Sequence, residues 1–391
     1  MLLSLLCKSQ RWDTNYVSGA FFINDIFFTS ETRGYAVGSA PYSFMYTNNA
    51  GLNWTEVSSS DDLADIYFVG DSIGYIVGEN GHIQKTTDGG ANWDTLTSGS
   101  TDFLKAACFV TKDTGYIVGY NPSNFVVSVI KTTNGGNTWN QTGPLGTNNT
   151  VWDIYFLNSR HGFITGMGGS KLWTTTDGGS TWSQQFLPGG TGVMQIEFIN
   201  DSTAIAVGNE GKIWRTTDTA KSWITLPSYT TEHLLDVKFI TDSTGYIAGY
   251  NGTILKTNDI GLTWKADTVN SGVNLFSICM VNKKHGWSAG NLGYAGAVIL
   301  QFGNPSGIDN YYYQANNLYI FPNPATDKLT VIASEAKQSE ISIYNIQGQT
   351  LIQQALQKTK TDIDISALPK AMYILKIENT DGVWVKKFVK E

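Results

Sequence analysis

Four aspartates stand at matching places along this 391-residue chain: Asp25, Asp65, Asp153 and Asp236. Each opens a short apolar run, and Gln195 and Ser277 hold the equivalent places in two further runs. Polar groups converging on a concavity are the usual makings of a binding site, here for a sugar or a cation. Two carboxyls about 5–9.5 Å apart, one with a raised pKa, are instead what glycoside hydrolysis needs. An aspartate at the head of a strand also caps a local turn by accepting backbone N–H groups. All three readings are open from the residues alone.

Other chemistry finds little support. His82, His161, His233 and His285 are scattered, with no His-x-x-x-His or Cys-x-x-Cys spacing, so no metal site and no cofactor is expected. His161 and His285 each precede a turn glycine and read as solvent-facing. No Gly-x-Ser-x-Gly or phosphate loop is present. The three cysteines, Cys7, Cys108 and Cys279, make no disulfide framework, and the last two read as buried thiols. A net charge of −7 argues against a nucleic-acid partner. No apolar run approaches the 18 or more residues of a membrane-spanning helix.

The elements that position the aspartates repeat. Trp54, Trp93, Trp139, Trp182, Trp223 and Trp264 recur at gaps of 39, 46, 43, 41 and 41 residues. A period near 40 residues marks a repeat architecture. Within the repeat, three runs rich in Ile, Val, Tyr and Phe are separated by Gly and Asp, and a fourth starts at the Trp. The opening position and a following Gly stand nine residues apart, as in Asp25/Gly34, Asp65/Gly74, Asp153/Gly162 and Asp236/Gly245. Ala106/Gly115, Gln195/Ala204 and Ser277/Gly286 keep the spacing, making seven openings. Seven four-stranded units packed radially predict a seven-bladed β-propeller over residues 10–303. The seventh unit lacks a Trp run, while Trp12 heads one with nothing before it. The N-terminal strand is therefore expected to complete the last blade and hide its edge.

The phrase Thr-x-Asp-x-Gly-x-Thr-Trp resembles the Asp-box, or BNR repeat, of sialidase-like propellers. Its structural positions are Asp88 and Trp93, Asn134 and Trp139, Asp177 and Trp182, Asp218 and Trp223, and Asp259 and Trp264. The Asp and Thr side chains are expected to staple their own turn, and the Trp to pack between blades. Ala220 replaces the usual Gly in blade five, which predicts a turn weaker by about 1 kcal/mol. With Gly-Tyr-x-Val-Gly ahead of the box, residues 12–303 look most like propellers named for photosystem II assembly and stability factors. That name is a likeness of fold, not a function. Sialidase chemistry would need an arginine clamp, and Arg11, Arg33, Arg160 and Arg215 form no such pattern.

The register breaks after Phe302, where residues 304–317 read as a linker. Residues 318–391 carry no box, and nine lysines face eight acids there. Strands are predicted at 329–332, 340–345, 349–354, 373–378 and 383–389, making a small immunoglobulin-like β-sandwich. The landmarks Phe321-Pro322-Asn323-Pro324-Ala325-Thr326-Asp327 and Ile343-Tyr344-Asn345-Ile346-Gln347-Gly348 resemble the type A C-terminal sorting domain of the Bacteroidetes type IX secretion system. So do Asp364-Ile365-Ser366-Ala367-Leu368-Pro369 and the closing Lys386-Lys387-Phe388-Val389-Lys390. Lys370-Ala371-Met372 departs where a Gly usually precedes the aromatic residue. The resemblance implies contact with the type IX machinery through residues 318–391 and a secreted or outer-membrane-surface product. Such a route needs an export signal, and residues 1–9 read as its remnant. The functional expectation is a non-catalytic surface module whose propeller face takes a glycan or protein ligand. A secreted glycoside hydrolase using the channel-mouth carboxylates is the alternative.

Overall fold

In the computed structural model every repeat is a four-stranded antiparallel sheet. Residues 12–17, 22–142, 145–146, 150–166, 169–267, 272–292, 296–302, 318–321, 325–333, 339–345, 348–356, 360–379 and 382–391 are described. The expected signal remnant and linker lie outside them. The chain divides between residues 304 and 305 into two units.

Seven sheets make the first unit. Six are consecutive in sequence, at residues 23–57, 63–96, 103–141, 151–186, 193–226 and 234–266. The seventh combines three late strands with Trp12–Val17, which pairs antiparallel with Ala297–Phe302. The ring is thus closed by the N-terminal strand, as its lone Trp run predicts. First strands touch first strands all the way round, from Ile23–Phe28 against Leu63–Val69 to Asn274–Met280 against Ile23–Phe28 again. They therefore line the central channel.

The burial pattern explains why the repeat reads as it does. The first strand of blade two, Leu63–Val69, alternates between buried and half-buried residues, one face on the core and one on the channel. The second strands, such as Gly34–Gly38 and Gly245–Gly249, are buried throughout because neighbouring blades cover both faces. In the first six blades the fourth strands are short and largely exposed, and they begin one residue after the Trp rather than at it. Hydrophobic clusters fill each of the seven junctions between adjacent blades.

Aromatic packing fixes two positions of the repeat. The Phe68 ring lies over Gly74, where an added Cβ would come within 2.7 Å of it, and Phe28 covers Gly34 in the same way. That is the reason for the nine-residue spacing from aspartate to glycine. Trp93 meets Phe68 of its own blade edge-on at 5.9 Å and Tyr35 of the preceding blade at 6.2 Å. The boxes carry the expected bonds. Asp88 Oδ1 accepts the Asn92 N–H at 2.9 Å and the Thr86 hydroxyl at 2.8 Å, and Thr86 Oγ1 accepts the Gly90 N–H. In blade five, Thr219 and Ala220 hold φ of +59° and +61°, so the turn keeps its shape without glycine.

The second unit is a sandwich of a three-stranded and a four-stranded sheet. Leu329, Val331 and Ile363 from one sheet meet Ile341, Ile343, Leu375 and Phe388 from the other. Strands Leu318–Phe321 and Lys360–Asp364 add to the five predicted from sequence. The second carries charge at three of its five residues, Lys360-Thr361-Asp362-Ile363-Asp364, and buries Ile363 deeply.

Candidate binding site

Each first strand carries a β-bulge just before its opening residue, seen as a register shift between Ile23 and Asp25, Leu63 and Asp65, or Leu104 and Ala106. The closing Gly of Gly-Tyr-x-Val-Gly sits opposite. A Cβ at Gly78 would lie 2.3 Å from the Asp62 carbonyl, and one at Gly119 2.6 Å from that of Phe103. Bulges re-aim side chains. Here the bulged residues, among them Lys105, Trp152 and Phe276, line one mouth of the channel above the opening residues.

The opening residues form the floor and tie the blades together. Asp25 Oδ2 accepts the Ile66 N–H of blade two at 3.0 Å, and Asp65 Oδ2 accepts that of Ala107 in blade three at 2.7 Å. Asp153 accepts the N–H groups of Ile154 and of Ile196 in blade five. Gln195 and Asp236 do the same for Val237 and Ile278, the latter at 2.6 Å. Ser277 closes the circle by donating to Asp25 Oδ1 at 2.6 Å. Ala106 has no acceptor to offer, and the thiol of Cys108, two residues on, takes the Phe156 N–H of blade four at 3.3 Å. The sequence reading placed these aspartates at a channel mouth and, as the alternative, at local turns. Their bonds across blade boundaries were not visible in it.

Burial governs the charge of this floor. Asp153 is pushed up to about 7 and Asp236 to about 6, chiefly by desolvation, with Lys238 drawing both back down. Asp65 rises well above the carboxylate range because it is buried and hydrogen-bonded to Asp25. Two residues deeper, Lys238 Nζ pairs with Glu197 at 3.3 Å, and Glu197 holds that ammonium protonated. The thiols of buried Cys108 and half-buried Cys279, the latter less covered than its sequence reading expected, are both pushed up to about 12, chiefly by desolvation.

Above the floor opens a cavity of about 580 Å³. Trp152 stands 37% exposed at its rim, and the Lys105 ammonium lies 5.2 Å from the Trp152 ring centre. Tyr250 meets His233 at 5.2 Å and Phe276 at 6.1 Å, both edge-on. Asp236 Oδ1 is buried against this cavity with no hydrogen-bond partner. The sequence reading missed the rim residues. Their signal is position alone, one place ahead of each opening residue. The four histidines stand apart, and among the described residues no group of three or more His, Cys, Asp or Glu is placed to hold a metal ion.

Residues 55–144, 141–230 and 224–300 match the model of the photosynthesis system II assembly factor YCF48. The chain belongs to the YCF48 family. Two solved YCF48 propellers share the fold. A YCF48 bound to a D1 peptide is 21% identical, covering 74% of this chain and 96% of that one, with a TM-score of 0.61. YCF48 from Cyanidioschyzon merolae is 18% identical over 75% and 98%, also at 0.61. A catalytically inactive virginiamycin B lyase from Staphylococcus aureus with quinupristin reaches 0.62 at 10% identity, over 75% of this chain and 99% of that one. These likenesses concern fold alone. Residues 319–391 match the secretion system C-terminal sorting domain, so this YCF48-family chain is secreted or displayed at the outer-membrane surface, as in Bacteroidetes. Beta-agarase D of Zobellia galactanivorans is 31% identical over 83 residues, which are 21% of this chain and 17% of the agarase. Among the described residues no helix is long and apolar enough to cross a membrane.

Proposed function

We propose that the propeller is a non-catalytic binding module, exported by its sorting domain, whose ligand enters the bulge-lined mouth. The carrying observation is the cavity itself, in which Trp152, Phe276 and Tyr250 surround a carboxylate floor with one acceptor oxygen unused. Apolar rings with a few convergent polar groups are how binding sites are built. Asp25, Asp65, Asp153 and Asp236 form that floor. Their carboxylates already hold backbone N–H groups of neighbouring blades, which favours a fixed binding surface over an acid–base pair. A glycan and a protein segment both fit this description, and the solved YCF48 relative that holds a D1 peptide favours the protein ligand.

The test is an array of glycans and peptides probed with the full chain and with Trp152→Ala. Hits lost in the variant, without turnover, are expected. Hits retained in Trp152→Ala would place the site elsewhere, and released reducing sugar would favour the hydrolase instead.

A further inference from the structure

The ligand class can be narrowed, on the reading that the mouth is the binding site. Asp236 is 6% exposed, lines the cavity, and leaves Oδ1 without a partner while Oδ2 holds the Ile278 N–H. A buried acceptor without a donor is costly, and this one lies at the cavity floor, itself covered, with the Lys238 ammonium as the charge that already acts on its carboxyl. Around it stand three more carboxyls of the floor. Lys105 is the one lysine or arginine among the residues that line the cavity, and its ammonium is folded away onto rings, 4.7 Å from Phe103 and 5.2 Å from Trp152. The acids around Lys105, namely Asp65, Asp62 and Glu79, oppose the loss of its charge that burial favours.

We propose that the mouth receives a lysine or arginine side chain of a partner polypeptide, whose cationic head settles over the Asp236 carboxyl while its stem lies against Trp152 and Phe276, the carboxyl turning Oδ1 up to meet it. Cation and ring attract through the ring's quadrupole, and carboxylate and cation through charge. Lys105 is then the internal competitor, holding the same aromatic surface until the ligand displaces it. Removing the Lys105 charge also removes repulsion of an incoming cation, a gain that a neutral sugar does not share.

The experiment titrates the tryptophan fluorescence of the full chain with a capped triarginine peptide, its uncharged citrulline twin, spermidine and cellotetraose. The triarginine peptide is expected to bind, with affinity about tenfold lower in Asp236→Asn and several-fold higher in Lys105→Met. The citrulline twin is expected not to bind, and spermidine to bind more weakly than the peptide. Equal binding of the citrulline twin overturns the proposal, as does spermidine binding tighter than the peptide. If Asp236→Asn does not fold, Lys105→Met decides: no gain in affinity for the peptide overturns it. Cellotetraose binding that is lost in Trp152→Ala, with the peptide inert, defeats the cation and leaves the binding module standing. No response from any probe defeats the cation as well, and the array then decides the module.

Discussion

At the scale of single residues the aspartates divide into two kinds, and pH separates them. Asp153 and Asp236 have folded-state values near 7 and 6, above the unfolded value of about 3.9. The folded state therefore binds more protons than the unfolded state between about pH 4 and 7. Their contribution is fully present below pH 4 and is lost as pH rises through 6 and 7. Asp153→Asn and Asp236→Asn, which can keep accepting backbone N–H groups, should raise stability at pH 8 by on the order of 1–3 kcal/mol. They should also flatten the melting temperature between pH 5 and 8, measured by calorimetry. An unchanged slope would show that these carboxyls are ionised in the fold. The box aspartates behave in reverse. Hydrogen bonds hold Asp88, Asp177 and Asp218 down at about 2, so their contribution exists above pH 4 and disappears as pH falls through 2. Asn134 makes the same turn without charge, bonding Thr132 and Thr138. Asp88→Asn should accordingly be near neutral at pH 7 and should soften the acid unfolding limb.

At the scale of strands and turns, the blades are latched as well as packed. Tyr75 donates to the Gly135 carbonyl of the next blade's box at 3.0 Å, and Tyr116 to that of Gly178 at 3.0 Å. Tyr75→Phe should cost about 0.5–1.5 kcal/mol in urea unfolding, and no loss would mean that this buried bond adds nothing over the hydration it replaces. Gly119→Ala should cost about 1–3 kcal/mol, because the new Cβ meets the Phe103 carbonyl. Urea unfolding measures that loss. Much of this level was legible. Apolar runs punctuated by Gly and Asp announced the first three strands of each blade, the recurring Trp the fourth, and the lone Trp12 the closing strand. The bulges were not, because one extra residue leaves no composition signal, so Lys105 and Trp152 read as ordinary strand residues. The inter-blade bonds were equally hidden, since an aspartate that caps its own turn and one that reaches the next blade look alike in sequence. The strand Lys360–Asp364 failed for a different reason: its charges read as loop, while its pairing with Lys328–Ala333 is what makes it a strand.

At the scale of the whole ring, closure is the point of weakness. Trp12 packs on Tyr246 at 6.1 Å and Phe302 at 5.2 Å, so Trp12→Ala should cost roughly 3–5 kcal/mol. Removing residues 1–17 should leave Ala297–Phe302 as a bare edge, lower the melting temperature and promote self-association on size exclusion. A truncated chain that stays monomeric with wild-type stability would show that closure adds nothing. The pairing of Trp12–Val17 with Ala297–Phe302 joins the two ends of the propeller sequence. Chain that crosses a membrane amino end first delivers one strand of the seventh blade at the outset and the other three only at residues 274–302. The six consecutive blades are complete before then, but the ring has no closing strand pair until Ala297–Phe302 meets Trp12–Val17, just ahead of the sorting domain.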